Sequence, residues 1–448
     1  MKTPIVDFIE NYVNQNATRL HMPGHKGKGD FGFEKFDITE IDGADVLYNA
    51  TGIIRESEQN AATLFGTKNT FYSTEGSSLC IRAMLYITAL YCKSRGKKPI
   101  VAAARNVHKA FISACALNGV EPLWIDCENG ASLLSSFITP SGLDAWFLKQ
   151  KETPCAVYIT TPDYLGFRLD ISGISAVCKK YGAVLLVDNA HGAYLKFLGE
   201  DTHPITLGAD MCCDSAHKTL PVLTGGAYLH ISHTAPELFL KTAERALSLF
   251  ATTSPSYIIL QSLDKANKIL AENYGQRLCI CAKKTEKLKE RLENLGYTLF
   301  GDEPLKITVL AKRFGYEGRK IAEILQKNGI IVEFYDKDFV VMMFSPSLDD
   351  GDFEKIATAF SKIPRKEEIK ELPPAPPLSK SKMTIREAMF SPSEEIEVNK
   401  SVGRVLSDAT VSCPPAIPIA VCGEEITPQA VECFKYYGIE KCLVTKEG

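Results

Sequence analysis

Apolar and polar residues repeat along this chain with two different periods. Ile5, Phe8, Ile9, Tyr12 and Val13 fall on the i, i+3, i+4, i+7, i+8 spacing of one helix face. That spacing predicts an amphipathic helix over 3–16, whose stripe must pack on its own large domain or on a partner subunit. From residue 57 the pattern changes to short apolar runs separated by helical stretches. The runs 70–73, 100–104, 121–125, 155–161, 183–187, 210–215 and 226–231 read as strands, and 57–65, 79–91, 143–150 and 171–181 as helices. Such alternation predicts a mostly parallel sheet covered on both faces. A loop at Thr252–Tyr257 is followed by a long Lys-, Glu- and Leu-rich helical stretch to 295. Strands at 306–311, 330–334 and 340–344, with helices at 316–326 and 352–360, predict a small α+β unit. Pro364, Pro373, Pro374, Pro376 and Pro377 then stand among charges with no apolar period, which marks a linker. A short helix at 384–390 and a Pro-rich turn at Cys413–Pro418 belong to a last α+β unit. The expected division is an N-terminal segment 1–56, a large domain 57–260, a small domain 261–365, a linker 366–382 and a C-terminal domain 383–448; 448 residues suffice for several cores.

Composition narrows the function classes. Apolar residues make up 45 % and charged residues 23 %, with a formal net charge of −3 and no block of like charge, so neither nucleic acid nor an anionic membrane is an expected partner. No run of eighteen apolar residues and no signal-peptide pattern is present, so a cytoplasmic location is expected. The 14 cysteines are scattered without a C-x-x-C pair, and many lie in apolar runs, such as Cys80, Cys155 and Cys178, so they read as reduced core thiols. Cys212-Cys213 and Cys279-x-Cys281 lack a histidine at ligand spacing, and no metal is expected.

Polar residues with chemical potential cluster at the ends of the predicted strands, where open α/β sheets bind ligands. Thr74-Glu75-Gly76-Ser77-Ser78 lies between a strand and a helix; free N–H groups, helix dipole and hydroxyls can hold a phosphate there, although serine before a helix is equally an ordinary cap. His108 follows the strand 100–104, and Asp163 follows 155–161. Val184-Leu185-Leu186-Val187 is a buried strand ending in Asp188, with His191 three residues on. Ser215-Ala216-His217-Lys218-Thr219 places a lysine between hydroxyls and an imidazole. The loop His21-Met22-Pro23-Gly24-His25-Lys26-Gly27-Lys28-Gly29 could be a metal or phosphate site, but composition favours a solvated basic turn.

A surface lysine in a loop is the common fate of that residue, but the company of Lys218 points elsewhere. A pyridoxal phosphate (PLP) site needs a lysine for a Schiff base and an acid to keep the pyridine nitrogen protonated. It also needs donors for the phosphate and a flat group above the ring. Lys218, Asp188, the donors Gly76, Ser77, Ser78, Ser215 and His217, and His108 as the stacking ring supply that set.

Four motifs carry a family resemblance: His21-Met22-Pro23-Gly24-His25-Lys26, Arg105-Asn106-Val107-His108-Lys109, Val187-Asp188-Asn189-Ala190-His191-Gly192-Ala193 and Ser215-Ala216-His217-Lys218-Thr219-Leu220-Pro221. Through them the chain resembles the Orn/Lys/Arg decarboxylases, PLP enzymes of fold type I related to aspartate aminotransferase, and its length resembles their short bacterial form. Arg386-Glu387-Ala388, Val402-Gly403-Arg404 and Pro414-Pro415-Ala416-Ile417-Pro418 resemble the family's C-terminal domain. The resemblance implies Lys218 as the Schiff-base lysine, Asp188 at the pyridine nitrogen, His108 on the ring, and Gly76, Ser77, Ser78, Ser215 and His217 at the phosphate, with His191 beside the cofactor. It implies a homodimer or higher homo-oligomer, with His25, Thr252 and Ser254 as interface candidates. The chain departs from the family's usual residues at Glu75, Asp163, Asn189 and Cys413, and the first three bear on substrate choice.

The implied reaction is α-decarboxylation of a basic amino acid, arginine before lysine or ornithine, giving a polyamine precursor and CO₂. Lys218 or His217 would return a proton to Cα. Asp163, Glu75 or Glu333 would meet the distal cation of the substrate. A PLP-dependent aminotransferase or lyase, and a non-catalytic PLP-binding relative, stand as alternatives.

Overall fold

The computed structural model describes residues 1–125, 128–129, 133–374, 379–408, 410–412 and 416–446. Pro376 and Pro377 of the expected linker and Cys413, Pro414 and Pro415 of the expected turn lie outside the described residues. The first nine strands are β1 (Asn69–Ser73), β2 (Ile100–Ala103), β3 (Glu121–Trp124), β4 (Glu128–Asn129), β5 (Ser136–Phe137), β6 (Ala156–Thr160), β7 (Val184–Asp188), β8 (Met211–Asp214) and β9 (Ala227–Ile231). Seven of them form one sheet in the order β1-β9-β8-β7-β6-β2-β3. β7 and β8 run parallel, with Asp188 level with Cys213, and β9 runs antiparallel to both β8 and β1. β7 is buried along its whole length, as a near-continuous apolar run demands of a central parallel strand.

Among the described residues this part of the chain carries the α-helices α1 (Pro4–Asn14), α2 (Ile53–Phe65), α3 (Gly76–Ser94), α4 (Lys109–Asn118), α5 (Pro140–Leu148), α6 (Ile171–Tyr181), α7 (Ala216–Thr219), α8 (Glu237–Phe250), α9 (Tyr257–Ala271) and α10 (Tyr274–Asn294). α8 lies just before the loop read at Thr252–Tyr257, in a stretch to which the sequence pattern assigned no element, and the expected helix 79–91 begins earlier, at Gly76.

The chain divides into two compact units. The first comprises 1–100, 152–159 and 171–276. In it, α3 packs on α8 and β9, burying Leu79, Ala83, Met84 and Ile87. α1 packs on α2 and α9 and buries Ile5 and Ile9 of its apolar stripe, while Phe8, Tyr12 and Val13 stay half-buried. Buried Asp264 of α9 accepts the N–H groups of Ile5 and Val6 and the hydroxyl of Ser57, so one carboxylate fixes three helices together. Burial raises its pKa to about 6, against the lowering effect of those same hydrogen bonds.

The second unit comprises 101–151, 160–170 and 277–448. β10 (Leu299–Phe300), β11 (Lys306–Leu310), β12 (Phe334–Tyr335) and β13 (Phe339–Met343) form an antiparallel sheet in the order β10-β11-β13-β12. The strand expected over 330–334 is thus confined to its last residue and the one after it. α11 (Gly318–Lys327) and α12 (Asp350–Ser361) follow. A reciprocal capping box between Asp349 and Asp352 starts α12. Beyond 380 come α13 (Ile385–Met389), β14 (Ser393–Glu397), β15 (Thr410–Ser412), β16 (Ile417–Ala420), α14 (Pro428–Tyr436) and β17 (Lys441–Thr445), with pairs β14–β17 and β15–β16. Thr384 and Glu387 form a capping box on α13. Leu406, Ile419, Ala430, Phe434 and Val444 build the core of this segment. Every described cysteine is free, and all but Cys279 are buried. No described helix is long and apolar enough to cross a membrane.

Candidate active site

The parallel strands β7 and β8 end side by side, and each delivers a turn of polar residues in the first unit. Asp188 ends β7 and is only 1 % exposed. Its Oδ2 accepts the Tyr158 hydroxyl at 3.1 Å, and its Oδ1 accepts the Ala190 N–H at 3.2 Å and faces Cys213 Sγ at 3.7 Å. The Ala190 bond closes a local turn of the kind aspartate makes with the backbone two residues on. A second turn follows, with Gly192 N–H on the Asn189 carbonyl, and it carries His191. β8 leads through Ser215 into the single-turn helix α7, which holds His217 and Lys218.

The structure brings Lys218 Nζ to 3.0 Å from His191 Nε2. Lys218 itself is exposed, so burial does not favour its neutral amine. Its neighbour His217 donates Nδ1–H to the Gly226 carbonyl at 3.0 Å. Burial lowers the His217 pKa, the Gly226 bond raises it and the Lys218 charge lowers it. The neutral ring therefore offers only the lone pair of Nε2.

Ser215 Oγ donates to Ser77 Oγ at 2.7 Å and so joins the α7 turn to the start of α3. Gly76 opens α3 with φ +70°, a conformation glycine adopts without strain, and its N–H goes to the Gly225 carbonyl. The N–H groups of Ser77 and Ser78 belong to the first turn and have no intrahelical acceptor. All three residues are half-buried, and a Cβ built on Gly76 meets no atom within 4 Å. Two unspent N–H groups, paired hydroxyls and open space at a helix N-terminus are a donor set that fits a phosphate. Lys218, Asp188 and this cradle are the residues that would hold PLP, and their chemistry fits its aldehyde, pyridine nitrogen and phosphate in turn.

The remaining candidates are placed as follows. Glu75 accepts the Thr252 N–H at 2.8 Å, and Thr252 Oγ1 accepts the Ser254 N–H, so these three form one exposed group. His25 is closed into its own loop by Asp37 at 3.2 Å and by the Gly27 N–H. In the second unit, His108 caps α4, its Nδ1 accepting the Ala110 N–H at 3.1 Å. Asp163 is 2 % exposed; its carboxylate accepts the Ser135 hydroxyl and the Phe167 N–H, and burial raises its pKa to about 6. Both oxygens of Asp163 are thus engaged inside the chain, which gives a substrate cation little access to it. Glu333 is exposed and accepts the Tyr164 hydroxyl at 3.1 Å.

Sequence reasoning missed Tyr158. The only signal was its place in the apolar run that becomes β6, the strand beside β7. It also missed His203, Asp214 and His230, which come together in the interior although His203 and His230 lie 27 positions apart in the chain (230 − 203). Asp214 Oδ2 lies 3.0 Å from His203 Nε2 and 3.2 Å from His230 Nε2, and its Oδ1 accepts Asn189 Nδ2 at 2.7 Å.

Comparison with known proteins gives the chain its family. Residues 3–302 match the major domain of the Orn/Lys/Arg decarboxylases, well over half of the chain. An uncharacterized protein of Bacillus subtilis (strain 168) is 28 % identical over 96 % of this chain and 93 % of its own. The arginine decarboxylase of Bacillus anthracis is 29 % identical, covering 97 % of this chain and 92 % of its own. Among solved structures, the constitutive lysine decarboxylase of E. coli superposes with a TM-score of 0.77 at 18 % identity, over 99 % of this chain and 82 % of that one, a likeness of fold. The chain belongs to the Orn/Lys/Arg decarboxylase family and is a PLP-dependent decarboxylase of fold type I.

Proposed function

We propose that the protein removes the α-carboxylate of a basic amino acid, arginine before lysine or ornithine, releasing CO₂ and the corresponding amine. The observation that carries this reading is Lys218 Nζ, 3.0 Å from His191 Nε2, on a turn beside the one that follows buried Asp188. The choice of arginine is supported by relatives of similar length that carry that activity in their names.

When bound, PLP supplies the electron sink that accepts the bonding pair as the Cα–carboxylate bond breaks. The chain's residues do the rest. Lys218 would hold the cofactor through Nζ and later carry the proton that Cα takes up. His191 Nε2 accepts a hydrogen bond from that amine and aims it. Asp188, held by Tyr158 and Ala190, would present its carboxylate to the pyridine N–H. Ser77, Ser78 and Ser215 would fix the phosphate, and His108 would lie on the ring. Such fixed placement decides which bond at Cα is cleaved. We also infer a homodimer. Leu20, Met22, Phe31 and Phe33 expose apolar side chains in the segment around His25, Leu20 being 89 % exposed, and a second subunit would cover them.

The test is a substrate panel on the PLP-loaded protein. Arginine, lysine and ornithine are each supplied, and CO₂ and the amine are identified. CO₂ with agmatine from arginine is the expected result. Pyruvate-dependent amino transfer without CO₂ would replace this reading by an aminotransferase. A loaded protein with the cofactor's absorbance band but no turnover would replace it by a non-catalytic relative.

A further inference from the structure

His203, Asp214 and His230 are each fully buried, and they make a polar knot directly behind the two turns of the site. Two imidazoles and a carboxylate at such distances could hold a divalent cation or share protons. Hydrogen-bond direction decides between these. His203 Nδ1 accepts the Ile205 N–H, so its proton sits on Nε2 and points at Asp214 Oδ2. His230 Nε2 meets the same oxygen, which has only lone pairs, so it too must be a donor. Its Nδ1 is then the acceptor for Thr70 Oγ1 at 2.8 Å, and Thr70 takes the hydroxyl proton of Thr67 at 2.8 Å. Every proton is accounted for with both imidazoles neutral and Asp214 ionised. Burial opposes that charge, but the two histidines beside Asp214 outweigh it and hold its carboxyl below the usual range, while burial lowers the His230 pKa. A metal ion would need lone pairs where both Nε2 atoms carry protons.

The other oxygen of this anion, Oδ1, accepts Asn189 Nδ2 at 2.7 Å and the Cys212 thiol at 3.5 Å. Asn189 is itself fully buried and is the central residue of the turn between Asp188 and His191. Its N–H pairs with the Cys213 carbonyl and its carbonyl accepts the Gly192 N–H. The Asp214 bond is its only side-chain hydrogen bond among the described residues, since Oδ1 of Asn189 meets no donor. We propose that Asp214, locked by His203 and His230, is a positioning residue that fixes Asn189 and through it the Asp188–His191 turn on which PLP and Lys218 depend. This rests on the reading of Lys218 and Asp188 as the cofactor's holders. The two strand ends are then stitched twice, by one backbone bond and by one charge-assisted side-chain bond.

The test is a double-mutant cycle read by cofactor binding. Apo wild type, Asn189→Ala, Asp214→Asn and the double variant are titrated with PLP, and the dissociation constant and the pH midpoint of the bound-cofactor band are recorded. Asn189→Ala leaves Asp214 and both histidines bonded, so it reports even where Asp214→Asn unfolds. Asp214→Asn removes the charge: the new amide oxygen can keep both histidines and its NH₂ can donate to Asn189 Oδ1 once that side chain flips, so the link survives only as a neutral bond. Asn189→Ala is expected to bind PLP about tenfold more weakly, the value of one charged hydrogen bond, and Asp214→Asn more weakly than wild type by a smaller factor, each with a shifted midpoint. The double variant is expected to be no worse than the weaker single, because both act through one link. Binding by Asn189→Ala within twofold of wild type, or losses that multiply in the double variant, overturn the proposal alone. One equivalent of zinc in the purified protein overturns it too. A wild-type chain that forms no bound-cofactor band overturns the reading of Lys218 and this proposal together.

Discussion

Lys218 Nζ and His191 Nε2 face each other at 3.0 Å across the turns that leave β8 and β7. An ammonium has only donors, so His191 accepts here and carries its own proton on Nδ1. A group so placed controls when the lysine gains or gives a proton. His191→Ala is expected to lower kcat by about a hundredfold, the low end for a proton-handling side chain. PLP affinity should change by less than that. Steady-state kinetics and a PLP titration on the same preparation check the split. Equal losses in both would make His191 a holder of the cofactor with no part in proton transfer.

Tyr158 gives its hydroxyl to Asp188 Oδ2 at 3.1 Å in a fully buried setting. Tyr158→Phe keeps the ring and removes the donor, leaving one oxygen of a buried carboxylate short of a partner. Such a loss costs about 1–3 kcal/mol. PLP binding should weaken by about tenfold, because the carboxylate that would face the pyridine nitrogen is no longer held from both sides. A titration that shows unchanged binding would remove Tyr158 from the cofactor's support.

The legible part of this molecule was the part written in local pattern. α1, α6 and β7 follow from spacing and burial, since each is a clear period with a defined end. α8 has the same kind of stripe, Phe239, Ala243, Ala246 and Leu247, yet the sequence reading assigned it no element. At 330–334 three β-branched residues suggested a strand; Ile331 is exposed, and pairing with β13 starts only at Phe334. Lys218, Asp188 and His191 were legible because each ends a predicted strand or follows one. Tyr158, Asp214, His203 and His230 were not, because their meeting is fixed by the sheet order β9-β8-β7-β6, and no local period encodes strand order.

Arg105 opens one of the motifs that carried the resemblance, yet its guanidinium is committed elsewhere. It pairs with Glu424 through two hydrogen bonds, of 2.5 and 3.1 Å, and stacks over Trp124. Glu424 is buried and also accepts the Val421 N–H. Arg105→Ala leaves that carboxylate buried without a counter-charge, a loss of about 3–5 kcal/mol. The expected result is selective loosening of the segment beyond 380, visible as faster hydrogen exchange around Val421–Glu424. Arg105→Lys should recover only part of it, since one ammonium cannot make the paired contact. Exchange that quickens equally throughout the chain would argue against a local role.

Asp163 makes the pH behaviour of the second unit testable. Burial raises its pKa from 3.8 to about 6, opposed by the Ser135 and Phe167 hydrogen bonds and by Lys306. The folded chain therefore favours the neutral acid. Its contribution to stability is complete below pH 3.8 and is lost as pH rises through 6, a change of about 3 kcal/mol at most. Asp163→Asn removes the titrating proton while keeping both contacts, because the amide oxygen can still accept the Phe167 N–H and the NH₂ can donate to Ser135 Oγ. Comparing wild type with this variant cancels Asp264 and Asp336, whose raised pKa values have the same sign. The variant's melting temperature relative to wild type should therefore be higher at pH 8 than at pH 5, by a few degrees. Thermal unfolding at both values measures that difference directly. A gap that stays constant, or that narrows toward pH 8, would mean that Asp163 is already charged in the folded chain, with the Lys306 ammonium and the Ser135 hydroxyl outweighing its burial.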